Sequence, residues 1–207
     1  LQRIRRERAW AAAFMTTGVW TGQADQTGGS NFTKFSDYAG STPFVVFRDG
    51  LRAVETATGR RPNKIVMGSI VWDRLIDHPD FIDRIKGGAT SGNPALLTPQ
   101  LFAAMLGVQQ VLVGKAIYRT TDEGASVTLA RVLDDDILLM YTPSAPSLLT
   151  PAAGYTFYWQ PLTGGGIEFV RSGRENRDKY DWHESHSYFD QVAVEALSGA
   201  FYADAVD

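Results

Sequence analysis

Few residues in this chain have the type and spacing to do chemistry. His183, Glu184 and His186 lie close enough together to invite metal ligation. On a strand, His183 and His186 point to opposite faces. On a helix, positions i and i+3 could converge, but the glutamate between them would not. Only His78 is left to complete such a site, so the segment reads as a surface strand with polar contacts. Asp134-Asp135-Asp136 puts three carboxylates in a row, a composition that could hold a hard cation. No Gly and Glu follow at EF-hand positions, and the run reads as a solvated turn. Gly87 to Ala95 is rich in glycine and looks superficially like a phosphate cradle. A P-loop needs a Lys-Ser/Thr pair at the helix start. Here Leu96-Leu97 follow, and a flexible loop is the better reading.

Other reaction chemistry is thinly supplied. There is no Gly-x-Ser-x-Gly elbow. There is no cysteine, which excludes disulfide scaffolding and Cys-ligated zinc and suits a reducing compartment. The three histidines offer little to a catalytic triad, and a carboxylate pair formed in space is invisible to sequence spacing. The balance therefore shifts toward structure and interaction. The 207 residues are 44% apolar and 21% charged, ordinary globular values that allow one domain or two small ones. A net charge of -3 argues against a nucleic-acid condenser. No apolar run approaches the ~20 residues of a bilayer span.

The elements that must position these residues follow from periodicity. Residues 1–17 predict a helix, with Trp10 and Phe14 one turn apart and a basic start at Arg3, Arg5, Arg6 and Arg8. Residues 21–43 read as a long polar loop, either functional or partly mobile. Thr42-Pro43 opens a helix whose Phe44, Phe47, Leu51 and Val54 share a face, and Gly59 closes it. Ile65, Val66 and Met67 predict a strand covered on both faces. Ser69 is the expected cap of a helix carrying Val71, Trp72, Leu75 and Ile76, ended by His78-Pro79. Thr98-Pro99 starts a further helix with Leu101, Phe102 and Met105 as its stripe and Gly107 as its stop. Strands are expected at Val108–Val113, Ala116–Thr120, Ser126–Leu133 and Ile137–Tyr141, with a turn at Asp122-Glu123-Gly124. A linker spans 142–153. Tyr155 to Trp159 then predicts a strand with one aromatic face, pairing through Gly164-Gly165-Gly166 with Ile167–Val170 as a hairpin. Further strands are expected over 188–196 and 200–203.

In order and spacing, several stretches resemble the tailed-phage major capsid proteins of the Hong Kong 97 type. They are Trp20, Phe35 to Pro43, Gly59 to Asn63, Trp72 to Pro79 and Phe102 to Gly114. The resemblance spans nearly the whole chain, and no single piece of it is a catalytic signature. It implies an α+β fold in which a central axial α/β domain, 43–142, is inserted in a peripheral α+β domain, 1–42 and 143–207, with residues 1–17 ending its spine helix. It also implies an N-terminal arm and extended hairpin upstream of Leu1. A lysine–asparagine cross-link, where such shells have one, draws its lysine from that hairpin and cannot be carried onto these residues.

The implied role is a major capsid protein assembling into hexamers and pentamers of an icosahedral shell around double-stranded DNA. That means a virion component assembled in the host cytoplasm. It would not be an enzyme and would need no cofactor. Its partners would be many copies of itself, scaffold, portal and decoration proteins, and DNA held without sequence specificity, with no membrane contact. Arg3, Arg5, Arg6, Arg8, Arg171, Arg174, Arg177 and Asp178 are the candidate subunit-interface residues, each pair individually weak. Two alternatives stay open: an encapsulin-like nanocompartment shell around a cargo enzyme, and an α/β enzyme with a His/carboxylate site at His78 or His183.

Overall fold

The structure, a computed structural model, describes residues 2–86, 97–147, 149–159 and 168–207. The expected loop at Gly87 to Ala95, the Gly164-Gly165-Gly166 turn and Ile167 lie outside the described residues. The architecture is mixed α+β. Helices are α1 Gln2–Phe14, α2 Pro43–Thr58, α3 Ser69–Ile76, α4 Pro79–Lys86 and α5 Pro99–Leu106. Strands are β1 Gln26–Thr27, β2 Lys64–Gly68, β3 Gln110–Gly114, β4 Ile117–Arg119, β5 Leu129–Arg131, β6 Ile137–Met140, β7 Gly154–Tyr158, β8 Glu168–Glu175, β9 Tyr180–Ser187, β10 Phe189–Ala193 and β11 Gly199–Ala203.

A five-stranded sheet in the order β1-β11-β6-β2-β3 forms the middle layer. β2 pairs parallel with β3, and β1 parallel with β11, while β6 runs antiparallel to both β2 and β11. Successive strand residues face opposite sides, and both sides are covered. Ile65, Met67, Ile137, Leu139, Ala200 and Tyr202 face the core packed by α2 to α5. Val66, Leu138, Met140 and Phe201 face the other way, onto Phe14, Trp20 and Ala153. This is why the apolar runs of β2 and β6 show no alternation in sequence.

The helix-side core is aromatic. Phe102 lies edge-on to Phe47 at 5.3 Å and to Trp72 at 5.7 Å, and it meets Phe81 at 5.0 Å. Trp72→Ala should cost about 3–5 kcal/mol by opening this cluster. A lowered urea midpoint would register it, and an unchanged midpoint would mean the ring is not part of the core.

Local signals at two helices work as expected. Thr98 Oγ1 accepts from Leu101 N at 3.2 Å, and Gly59 and Gly107 end their helices in the left-handed region at φ 70° and 69°. Other expectations are corrected. Ser69 does not cap α3. The cap position falls on Gly68, where a Cβ would run into the Asp134 carbonyl, and the Ser69 hydroxyl instead accepts from Arg131 Nη1 at 2.6 Å. Pro79 ends one helix and begins another, α4. Its Phe81 is fully buried, and its Asp80 carboxylate accepts from Phe44 N at 3.0 Å, capping α2 from outside. The stripe of α5 is Phe102, Ala103 and Leu106, with Leu101 and Met105 only partly buried. The 21–43 segment is not merely a surface loop, because Phe35 is buried, β1 joins the sheet and Phe35 N donates to Ala205 O at 2.9 Å. β7 does not pair with Val170. Its partner is β10, while β8 pairs with β9.

Candidate subunit interface

The residues expected to meet a neighbour lie on α1 and on the β8–β9 ribbon, and the structure gives them different tasks. On α1, Arg3 pairs with Glu7 of the same helix at 3.1 Å. Arg6 pairs with Glu168 at 3.3 Å, tying the helix to the ribbon's base. Arg8 lies 4.3 Å over the Tyr118 ring, tying it to β4. Arg5 is exposed and has no ion pair among the described residues. The basic run is therefore largely spent inside its own chain.

The ribbon is a separate two-stranded sheet, eight residues a side, with a turn at 176–179. Arg174 faces Asp181 at 3.8 Å, and Arg171 stands opposite Glu184 and 5.2 Å over Phe169. The turn carries Arg177, Asp178 and Lys179, all exposed and none ion-paired among the described residues. Lys179 takes a left-handed φ of 51°. One face holds Phe169, Arg171, Trp182 and Tyr180, the other Val170, His183 and Arg174. An isolated two-stranded ribbon is marginal in water. This one is tied to α1 at its base by the Arg6–Glu168 pair, is braced across its own strands by Phe169 stacking on His186 at 4.8 Å, and is free at its tip.

No histidine sits in a reactive setting. His78 is buried, with Nδ1 accepting from Asp80 N at 3.1 Å and Nε2 2.8 Å from the Ser41 hydroxyl. Ser41 in turn donates to the Asp37 carbonyl at 2.6 Å. The ring is thus a neutral tautomer with both nitrogens occupied, and burial holds its pKa below the ordinary value. His183 and His186 face opposite sides of β9. Glu184 lies 2.8 Å from His186 Nε2 without hydrogen-bond alignment. Among the described residues no group of three or more His, Cys, Asp or Glu could hold a metal ion, and no helix is long and apolar enough to cross a membrane.

The Asp134–Asp136 run is only partly solvated, which sequence reasoning missed. Asp136 Oδ1 accepts from Asp204 N at 3.3 Å. Burial, then the neighbouring Asp135 charge, pushes the Asp136 carboxyl up to about 6. Asp135 is raised too, chiefly by burial. Lys34 Nζ bridges Asp204 at 2.7 Å and Asp207 at 2.9 Å. A lysine 170 residues away in sequence gave no signal that could have found this cluster.

No family model matches the chain. Over 147 residues it is 38% identical to the major capsid protein of the Burkholderia phage BcepMu, covering 65% of this chain and 45% of that protein. In structure it is similar to a phage-related protein of Bordetella bronchiseptica RB50, with TM-score 0.80, 21% identity, and 99% of this chain against 64% of that one. It also resembles a proposed prophage capsid protein of Escherichia coli CFT073, with TM-score 0.55, 15% identity, and 98% against 63%. The chain thus spans less than half of the curated relative and under two thirds of each solved structure. These likenesses are to phage proteins, two of them bearing a capsid name.

Proposed function

We propose that this chain is the shell-forming part of a tailed-phage major capsid protein of the Hong Kong 97 type. It self-assembles into hexamers and pentamers of an icosahedral shell around double-stranded DNA. The observation that carries the reading is the β8–β9 ribbon, which ends in charged side chains with no ion-pair partner among the described residues, in a chain 38% identical to a major capsid protein. Closed shells are built from many copies joined by modest contacts repeated by symmetry. Such contacts need exposed, mixed-sign edges, and Arg174, Arg177 and Asp178 supply one. The axial domain at 43–142 and the peripheral parts at 1–42 and 143–207 belong to the same proposal. β1 and β11 cross that division, because both lie in the central sheet. The net acidic chain confines DNA without gripping its sequence. Scaffold, portal and decoration proteins, and assembly in the host cytoplasm before a place in the virion, complete the reading.

Negative-stain micrographs of the purified protein should contain shells or capsomers, with nucleic acid inside the native particles. Solitary globules would overturn the reading, and an enclosed protein cargo instead of DNA would move it to a nanocompartment. Arg177→Glu combined with Lys179→Glu should reduce assembly at ordinary salt. The unfolding free energy in urea should move by no more than about 0.5 kcal/mol, since both side chains are exposed. Full assembly by this variant would remove the ribbon tip from the interface.

A further inference from the structure

The β4–β5 ribbon has one face against α1 and one face open. Tyr118 and Ala130 point inward, where Arg8 covers the Tyr118 ring. Ile117, Arg119, Leu129 and Arg131 share the outer face, and all four are exposed. Val127 extends this surface and is exposed, and Lys115, exposed too, lies just before β4, bordering a groove with Glu7 and Trp10 of α1. The ribbon's turn is held rigid, because Arg119 Nη2 donates to the carbonyls of Asp122 at 2.6 Å and Ala125 at 2.9 Å. An apolar, cation-bearing face on a stiffened ribbon marks an interaction surface. None of Lys115, Arg119 and Arg131 meets a carboxylate among the described residues, although Arg131 is hydrogen-bonded to Ser69. Asp122 and Glu123 lie at the tip, outside this face.

The complementary surface is on α3 and α4. Asp73, Asp77 and Asp83 are exposed, and none has an ion-pair partner among the described residues. Asp73 and Asp77 are four residues apart, a spacing at which like charges repel along a helix. The nearby cations are Arg74 and Lys86, whereas Arg84 is held by Asp80 at 3.0 Å and lies 4.1 Å over Phe44. α3 begins at Ser69, beside Arg131, and carries the chain about 12 Å away to Asp77. The basic face and the acid cluster therefore lie at opposite ends of α3. A surface with opposite charges at its two ends is complementary to a second copy of itself, and in a closed ring such contacts run head to tail.

We propose that the outer face of the β4–β5 ribbon, with Lys115, docks on the α3–α4 acids Asp77 and Asp83 of a second copy of this chain. It is a heterologous contact that repeats around a ring. The inference rests on the shell reading and names the two surfaces of one of its contacts.

Lys115→Glu sets acid against acid, and Asp77→Lys sets base against base. Each variant alone should lose at least tenfold in self-association by sedimentation velocity, with its circular-dichroism melt unchanged. Mixed one to one, the two variants can alternate around the ring. At one junction the introduced glutamate faces the introduced lysine, and at the next the retained Lys115 faces the retained Asp77. The mixture should recover the association that both lack singly. Wild-type self-association by either single variant, or a mixture no better than its parts, would overturn the contact. If the mixture associates but neither it nor the wild-type protein closes into shells, the contact stands and the shell reading falls.

Discussion

Replacing Phe102 with alanine should lower the free energy of unfolding by about 3–5 kcal/mol. Phe102 has no exposed surface and touches Phe47 from α2, Trp72 from α3 and Phe81 from α4. Its removal leaves one void facing three helices that are each pinned elsewhere. α3 is fixed by the end of β2, from which it starts, and by Arg131. α2 and α4 are fixed to each other through Asp80 and Phe44. Rigid surroundings collapse poorly into a cavity, so the cost should fall toward the upper end of the range. Domain stabilities run at about 5–15 kcal/mol, so the loss is a large share of the total. Urea unfolding followed by tryptophan fluorescence would measure this, since Trp72 borders the void. Phe102→Leu should cost much less. A variant as stable as the wild type would mean that α2 to α5 do not share one core.

What can be read in the chain and what cannot divide along a physical line. Helix ends are set by residues within a turn of each other, so Thr98-Pro99, Gly107 and Gly59 announce them. The buried strands Lys64–Gly68 and Ile137–Met140 announce themselves as short apolar runs. Helix α4 escapes the sequence reading because Pro79 reads there only as the end of α3. Yet the proline is followed at once by Asp80, Phe81 and Ile85, which fit a first turn and an apolar stripe. Strand partners are less legible, since a hairpin prediction joins neighbours in sequence. β7 instead reaches across the whole β8–β9 ribbon to find β10. The interface residues are legible as charges but not as free charges. Whether Arg6 or Arg8 is available to a neighbour depends on Glu168 and Tyr118, which only the fold brings near. His78 is a candidate base in sequence until Ser41 and the Asp80 amide take both its nitrogens.

Asp136→Asn should change how stability depends on pH. The Asp136 carboxyl titrates near 6 in the folded chain, against 3.8 for the ordinary group. Between those values the folded state binds the extra proton, so this residue favours folding fully below pH ~4. That contribution is lost as pH rises through 6. Asp135 is shifted the same way. His78 acts oppositely. Its lowered pKa means that the unfolded chain takes the proton first, so its contribution is lost as pH falls below about 6.5. The charges around Asp136 come from Asp134 and Asp135 on its own segment and from Asp204 across from it. Lys34 is engaged with Asp204 and Asp207. The gap between 3.8 and about 6 corresponds to at most ~3 kcal/mol, and solvent reaching the carboxylate reduces this to about 1–2 kcal/mol. Asparagine keeps the oxygen that accepts from Asp204 N and discards the charge. The variant should therefore be more stable than the parent by about 1–2 kcal/mol at pH 7.5 and equal to it near pH 4. Its remaining pH dependence should carry the opposed contributions of His78 and Asp135. Urea midpoints at pH 4, 5, 6 and 7.5 for both proteins test this directly. Parallel curves would mean that Asp136 titrates as an ordinary surface carboxylate, and that the segment after Ala203 is held without regard to its charge.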